Sequence, residues 1–376
     1  MEPSKVALQR ISVAPTAKLF VSLELSNKTW RVAASDGGTR TRHYSVKAGD
    51  ALALLGVIER ARERFGLPKD ALVLSCYEAG RDGFWLHRIL VANGIRNYVV
   101  DAGSMEVNRR MRRAKTDRLD NAKLLSNLMR CDRGEKKVWS VLRVPSEAEE
   151  DARRPQRERE RLLKEQGAHV SRMKSLLVMH NVRLKRVGGK DWAERLEAMG
   201  LPANVRAELE REGKRLALVQ EQIRELEAAH AAALKNSNAP AFTKERRLQS
   251  LRAMGPIGPW VLTSEVFGWR SFNNRRELVG SVGLCGSPYN SGDSERDQGI
   301  SKAGNRRVRA LMVELAWSWL KFQPDSTLSK WYQERFGRGA RARRIGIVAL
   351  ARRLLIALWR YVEHGVIPQG AKLKAA

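Results

Sequence analysis

Leu19-Phe20-Val21-Ser22-Leu23-Glu24-Leu25 is an apolar run broken by one carboxylate, and Ala71-Leu72-Val73-Leu74-Ser75-Cys76-Tyr77 repeats the pattern and closes against Glu78. Short apolar runs without polar alternation predict strands covered on both faces. Thr29-Trp-Arg-Val-Ala33 reads as the antiparallel partner of the first run across Ser26-Asn-Lys28, with a third strand around Arg42-His-Tyr-Ser-Val46. Asp50 can cap an amphipathic helix running to about Phe65. Pro68 and Gly80 bound the central run, Gly83 to Asn93 reads as a helix, and Asn97-Tyr-Val-Val100 as another strand. Asn108 to Arg130 follows as a long basic helix. Three strands followed by alternating helices and strands predict an α/β layer fold with a mixed sheet.

The basic helix carries Lys115-Thr-Asp117-Arg-Leu-Asp120, an aspartate pair preceded by Arg109, Arg110, Arg112 and Arg113. Carboxylates three residues apart share one helix face and can address one hard cation. The surrounding guanidiniums suit a phosphate backbone. The alternative is a solvated helix with its own ion pairs.

The 376 residues are enough for two or three domains. Seventy Lys and Arg against 41 Asp and Glu leave a net charge of +29, which points to a polyanionic partner. That partner is nucleic acid rather than a membrane, since no long apolar segment is present. Met1 to Arg10 lacks the apolar core of a secretory signal, and residues 1–17 read as a disordered leader. Cys76, Cys131 and Cys285 are too scattered for a disulfide framework and fit buried thiols in a reducing cytoplasm. The six histidines show no metal-ligand spacing.

From Pro145 to Asn236 the periodicity changes. Leu163, Val170, Leu177 and Leu184 recur every seventh residue, and Leu209, Leu216 and Ile223 repeat the interval. Two heptad helices are expected, separated near Gly188-Gly189 and Gly200-Leu-Pro202. A hairpin within one chain and a coiled coil between chains both fit. After the linker Asn236-Ser-Asn-Ala-Pro240, residues 241–376 read as mostly helical with one long Gly/Ser-rich loop. Met254-Gly-Pro-Ile-Gly-Pro259 resembles the turn of a helix-hairpin-helix, in which Gly255 and Gly258 would let backbone N–H groups approach a phosphate. Arg335 to Arg344 supplies a second basic run of five arginines.

Metal-dependent phosphodiester chemistry needs several carboxylates converging from different elements. Glu24 in the first strand, Glu78 at the end of the central strand, and Asp117 and Asp120 on the later helix are placed to form such a set. Strand-borne acids beside a helix face are the arrangement of ribonuclease-H-like folds. A carboxylate in an apolar strand is costly unless bound or paired, which makes Glu24 the most informative of the four. The other reading of Glu24 is an outward-facing residue on an edge strand.

Over Leu19 to His364 the chain resembles the DEDD insertion-sequence transposases, a family of RNA-guided recombinases. The resemblance rests on Phe20-Val-Ser-Leu-Glu24-Leu-Ser, Cys76-Tyr-Glu78-Ala-Gly80, Lys115-Thr-Asp117-Arg-Leu-Asp120-Asn-Ala and Met254-Gly-Pro-Ile-Gly-Pro259. Gly283-Leu-Cys through Asn290-Ser291-Gly292 and Gly299-Ile-Ser-Lys-Ala-Gly-Asn-Arg306 complete it. It implies a domain like the Holliday-junction resolvase RuvC over 18–144, a coiled-coil arm and linker over 145–240, and a transposase domain over 241–376. It also implies Mg²⁺ held by Glu24, Glu78, Asp117 and Asp120, and a serine nucleophile at Ser291. The expected partners are donor and target DNA duplexes, a guide (bridge) RNA, and further copies of the chain in a dimer or tetramer. The expected setting is the bacterial cytoplasm, at the nucleoid. Arg109, Arg110, Arg112, Arg113, Lys115, Arg296, Lys302, Arg306 and Arg307 are the candidate nucleic-acid contacts.

The chain departs from the family pattern at two places. Glu24 stands where Asp is usual, and the stretch after Ser291, Gly-Asp-Ser-Glu-Arg296, is more acidic than expected. Ser287 and Ser294 flank the nucleophile candidate. Two other functions fit the same residues: a metal-only junction resolvase or nuclease, and a non-cleaving RNA- and DNA-binding relative.

Overall fold

The computed structural model describes residues 17–80, 83–101, 104, 117–135, 138–291 and 294–375, and the side chains at 117–120 and 287–298 lie outside the described part. The leader up to residue 16 is likewise outside it. The chain forms two compact units, Met1–Pro145 and Ser146–Ala376.

In the first unit the apolar runs become strands close to their expected limits. They are β1 (Lys18–Glu24), β2 (Thr29–Ser35), β3 (Arg42–Lys47), β4 (Leu72–Glu78) and β5 (Arg96–Val100), in the sheet order β3-β2-β1-β4-β5. β1 pairs antiparallel with β2 and parallel with β4, so the sheet is mixed. β1 is therefore a central strand, and the edge-strand reading of Glu24 does not hold. Alternation along β1 sends Leu19, Val21 and Leu23 to one face, where α1 (Ala51–Arg64) and α2 (Trp85–Ala92) cover them. Phe20 faces the other way, with Leu74 and Cys76 of β4, against Leu124, Leu125 and Leu128 of α3 (Asp117–Asp132). Asp50 caps α1 as its sequence position predicts, accepting a hydrogen bond from the Ala53 N–H at 2.8 Å.

The second unit is helical apart from one hairpin. After the short α4 (Glu147–Asp151), α5 (Arg154–Val178) and α7 (Ala203–Asn236) lie against each other, with α6 (Trp192–Glu197) packed between their ends. The heptad arm is thus a hairpin within one chain. Its seam departs from the sequence phase on α5, where Leu162 is buried and Leu163 is 38% exposed. Leu184 lies beyond the helix altogether. The remaining helices are α8 (Pro240–Gln249), α9 (Ile257–Leu262), α10 (Arg275–Ser281), α11 (Arg306–Phe322), α12 (Thr327–Phe336) and α13 (Ala340–His364). They enclose a core around Phe267, Met312, Trp319 and Leu354.

The expected Gly/Ser-rich loop is a β-hairpin, β6 (Gly286–Ser291) paired with β7 (Ser294–Ile300). Its base is a neck where two backbone segments nearly touch. Gly283 has φ +70°, and a Cβ there would lie 2.0 Å from the Ala303 carbonyl oxygen. Gly304 has φ +79°, and a Cβ would lie 2.1 Å from the Ser281 carbonyl oxygen. Only glycine fits at either place. Among the described residues no helix is long and apolar enough to cross a membrane. Cys76 is buried, and burial pushes its thiol well above the ordinary range, whereas Cys131 and Cys285 are partly exposed rather than buried as expected.

Candidate functional site

Leu23 of β1 stands opposite Tyr77 of β4 in the parallel register, so Glu24 and Glu78 follow as neighbours at the carboxyl ends of adjacent strands. Open α/β sheets place their ligand sites at this edge. A cleft of about 370 Å³ opens there, lined by both glutamates, by Ser26 and Asn27 of the β1–β2 turn, and by Gly80 and Gly83 after β4. The period of two that puts Phe20 and Cys76 on the α3 face puts positions 24 and 78 on that face as well. Each glutamate ends its strand, so a carboxylate costs less there than inside the apolar run.

Two anchors orient α3 along β1. At one end Lys18 Nζ donates to the Asp132 carboxylate at 2.8 Å. At the other, the buried Ser22 hydroxyl lies 2.5 Å from Asn121 Oδ1 and 2.9 Å from its carbonyl, while Asn121 Nδ2 donates to the Arg31 carbonyl at 3.0 Å. α3 therefore runs antiparallel to β1, and its first turn, carrying positions 117 and 120, extends towards the Glu24 end. The sequence reading passed over Ser22 and Asn121; a hydroxyl inside an apolar strand was the available signal. Asn121→Ala would remove the donor to the Arg31 carbonyl while the Ser22 hydroxyl keeps the backbone carbonyl of residue 121, and is expected to cost about 1 kcal/mol. A urea unfolding midpoint unchanged from the parent would contradict it.

Glu24 and Glu78 are thus brought to one cleft. The side chains of Asp117 and Asp120 lie outside the described part, as do residues Arg109, Arg110, Arg112, Arg113 and Lys115. Among the described residues no three acids, histidines or cysteines form a metal-holding group. Two oxygen ligands at a strand edge suit a hard cation such as Mg²⁺, which needs few protein carboxylates and keeps several waters.

In the second unit, Ser291 is the last residue of β6, opposite Ser294, and Arg296 sits on β7; their side chains are outside the described part. Lys302 is exposed beside the neck with φ +58°. Arg306 begins α11, and Arg307 pairs with Glu160 of the arm. The two glycines of the Gly-Pro turn separate. Gly255 is exposed, whereas Gly258 is buried in α9, where a Cβ would lie 3.1 Å from Leu315. Helix packing therefore gives Gly258 a structural reason of its own beside the expected phosphate contact.

A network missed in the sequence joins the arm to the hairpin neck. Glu265, with a fully buried side chain, sits on a wide π-type turn at Thr263–Phe267 that continues α9. It accepts hydrogen bonds from Arg157 at 2.7 and 3.1 Å and from Asn305 Nδ2 at 2.8 Å, with Arg153 at 3.5 Å. Asn305 also caps α11 through its Oδ1. Burial by itself would raise the Glu265 carboxyl; the Arg157 hydrogen bonds, the charges of Arg157 and Arg153, and the Asn305 hydrogen bond outweigh it and hold the group below the ordinary carboxylate range. A carboxylate within Val261-Leu-Thr-Ser-Glu265-Val-Phe was the signal available.

Comparison with known proteins bears on both units. Residues 245–333 match the profile of the Transposase IS116/IS110/IS902 family. Across nearly the whole chain, y4rJ, a candidate transposase of Sinorhizobium fredii, is 39% identical over 393 residues, covering 96% of this chain and 97% of its own. A second candidate transposase of that organism, y4qE, is 27% identical and covers 86% of this chain and 77% of its own. The transposase for insertion sequence element IS1111A of Coxiella burnetii is 28% identical over 46% of this chain and 47% of its own.

Proposed function

The chain belongs to the IS116/IS110/IS902 family of insertion-sequence transposases, and from that premise we propose that it moves its element by metal-dependent, serine-mediated and RNA-guided strand exchange. Its activity is insertion-sequence transposition, and its substrate is DNA. The observation that carries the finer reading is the convergence of Glu24 and Glu78 on one cleft, with the first turn of α3 directed to it. The strand order β3-β2-β1-β4-β5, with three antiparallel strands followed by two parallel ones, supports a ribonuclease-H-like, RuvC-like assignment for residues 18–144. Residues 145–240 are then the arm and 241–376 the transposase domain.

Glu24, Glu78, Asp117 and Asp120 would hold Mg²⁺. Bound there, the ion would polarise the scissile phosphate. Ser291 supplies the nucleophile: its Oγ–phosphorus bond forms as the scissile phosphorus–oxygen bond breaks, and the serine proton ends on the released DNA hydroxyl. The DNA end is then stored as a phosphoserine ester, so rejoining to a new hydroxyl needs no ATP. Sequence choice lies in the guide RNA, and the protein reads backbone and shape. Arg109, Arg110, Arg112, Arg113, Lys115, Gly255, Gly258, Arg296, Lys302, Arg306 and Arg307 are proposed phosphate contacts. Two DNA duplexes call for a homo-oligomer, a dimer or tetramer, acting in the cytoplasm at the nucleoid.

The test supplies purified chain with the element's flanking RNA, donor and target DNA, and either Mg²⁺ or EDTA. Recombinant joints that form with Mg²⁺ and not with EDTA are expected. Joints that form equally in EDTA would overturn the metal role, and joints that form without the RNA would overturn the guided one.

A further inference from the structure

Asn305 closes the neck of the hairpin with three different groups. Its backbone N–H donates to the Ser281 carbonyl at 2.9 Å, on the segment that leads towards β6. Its Oδ1 accepts from the Arg307 and Val308 N–H groups and so caps α11. Its Nδ2 donates to the buried Glu265 carboxylate at 2.8 Å, which Arg157 of α5 also holds. An N-cap alone would be served equally well by Ser or Asp. The amide caps with its oxygen and keeps a separate nitrogen donor for the carboxylate; Asp has no donor, and a single Ser oxygen would have to do both. Other bonds pin the same neck. The Ser301 N–H donates to the Cys285 carbonyl at 2.8 Å and the Lys302 N–H to the Gly283 carbonyl at 3.2 Å. Arg309 Nη1 donates to the carbonyls of Val282 at 2.8 Å and Ala303 at 3.2 Å. Within this set, the Asn305 side chain carries the link to the arm.

We propose that Asn305, braced by Glu265 and Arg157, is a positioning residue that fixes the direction in which the β6–β7 hairpin presents Ser291. This deepens the serine-mediated reading and rests on it. β6 and β7 form a sheet of two strands, so the direction of the ribbon is set where it is rooted. Ser291 ends β6 five residues beyond Gly286, about 17 Å out at about 3.3 Å per residue. A tilt of about 3–4° at the root moves that position by about 1 Å, and a displacement of this size costs about a hundredfold in rate. A buried carboxylate is a poor way merely to join two helices, since an apolar contact of the same volume is as stable or more so. What the ion pair and the amide supply is direction. Two bonds from Arg157 and one from Asn305 fix the carboxylate, and the carboxylate fixes the neck.

The test measures, for the full chain with element RNA, Mg²⁺ and saturating labelled DNA, the single-turnover rate at which DNA-linked protein forms on a denaturing gel. The dissociation constant for the same DNA is measured beside it. Asn305→Ser keeps a capping oxygen and gives up the reach to Glu265; Asn305→Asp keeps the cap and sets a second carboxylate against Glu265. The linking rate is expected to fall by about tenfold or more in the first and by about a hundredfold in the second. DNA affinity should stay within about twofold in both, because the start of α11 remains capped. Ser326→Ala is the control for stability. It removes the cap of α12 and the oxygen to which Trp319 Nε1 donates, in the same helical core. Its melting temperature should fall while its linking rate stays within about twofold of the parent. A parental rate in both Asn305 variants overturns the assignment. So does a rate that falls only in step with weaker DNA binding, or equal slowing in Ser326→Ala. An unaltered chain that forms no linked band overturns the serine reading, and this inference with it.

Discussion

Glu78→Gln is expected to leave DNA binding intact and to slow strand cleavage by about a thousandfold. Glutamine keeps the shape of the side chain and removes its negative charge at the carboxyl end of β4, beside Glu24. A metal site held by few carboxylates loses affinity and orientation together when one becomes an amide. About 4 kcal/mol of lost transition-state stabilisation corresponds to that factor. Glu24→Gln should behave in the same way, because the two positions end neighbouring strands and open on one cleft. Glu24→Asp is the informative companion. It restores the acid usual in the family but shortens the side chain by one methylene in a cleft lined by Ser26, Asn27, Gly80 and Gly83, and is expected to keep more cleavage than Glu24→Gln. Cleavage assayed with saturating Mg²⁺, alongside binding of labelled DNA, checks both changes. Cleavage at the parental rate in Glu78→Gln would remove the cleft from the chemistry.

Glu265→Ala is expected to destabilise the second unit by about as much as truncating a large core side chain. The side chain is fully buried, and its removal strands Arg157 and Arg153, whose side chains are 35% and 12% exposed. Breaking a buried pair from one side costs about 3–5 kcal/mol. Partial exposure of Arg157 places this case near the lower end. At about 2–4 °C per kcal/mol for a unit of this size, the melting temperature should fall by about 10 °C. The two arginines are not equivalent. Arg157, hydrogen-bonded to the carboxylate, is raised above the ordinary guanidinium value. Arg153, lowered by burial and by the charge of Arg157, is the weaker partner. Since the Glu265 carboxyl lies below its ordinary value, the stability it contributes is present at neutral pH and lost as pH falls through that depressed value. Differential scanning calorimetry at pH 7 and at pH 3 checks both parts: the gap between parent and Glu265→Ala should narrow in acid. An unchanged melting temperature at pH 7 would show the network to be dispensable.

Much of the first unit was legible because its sheet is built from apolar runs that stand out from a highly charged chain. The register that pairs Leu23 with Tyr77 is not written in either run, yet both strands end on a glutamate, and that shared ending is the trace of the cleft. The hairpin β6–β7 is not legible as strands because Ser-Glu-Arg-Asp-Gln-Gly-Ile carries no apolar alternation. Its pairing is framed by the Gly283–Gly304 neck, which is a backbone property. The arm misled in phase: with few heptads the repeat at Leu163 and the packing at Leu162 differ by one position, and only contact with α7 decides between them. Glu265 could not be placed from sequence, since Arg157 and Asn305 lie 108 and 40 positions away. Gly258 shows the converse limit. A glycine that lets a helix approach Leu315 looks the same in sequence as one that lets a phosphate approach a backbone.

The central claim is that a serine of the hairpin attacks DNA while the acids of the strand edge hold the metal. Protein, element RNA, Mg²⁺ and end-labelled donor and target DNA, quenched and run on a denaturing gel, test it most directly. A labelled band at the mass of protein plus DNA is expected, requiring Mg²⁺ and absent in Ser291→Ala, while Ser287→Ala and Ser294→Ala retain it. Cleaved DNA with no linked band, or a linked band that persists in Ser291→Ala, would contradict it.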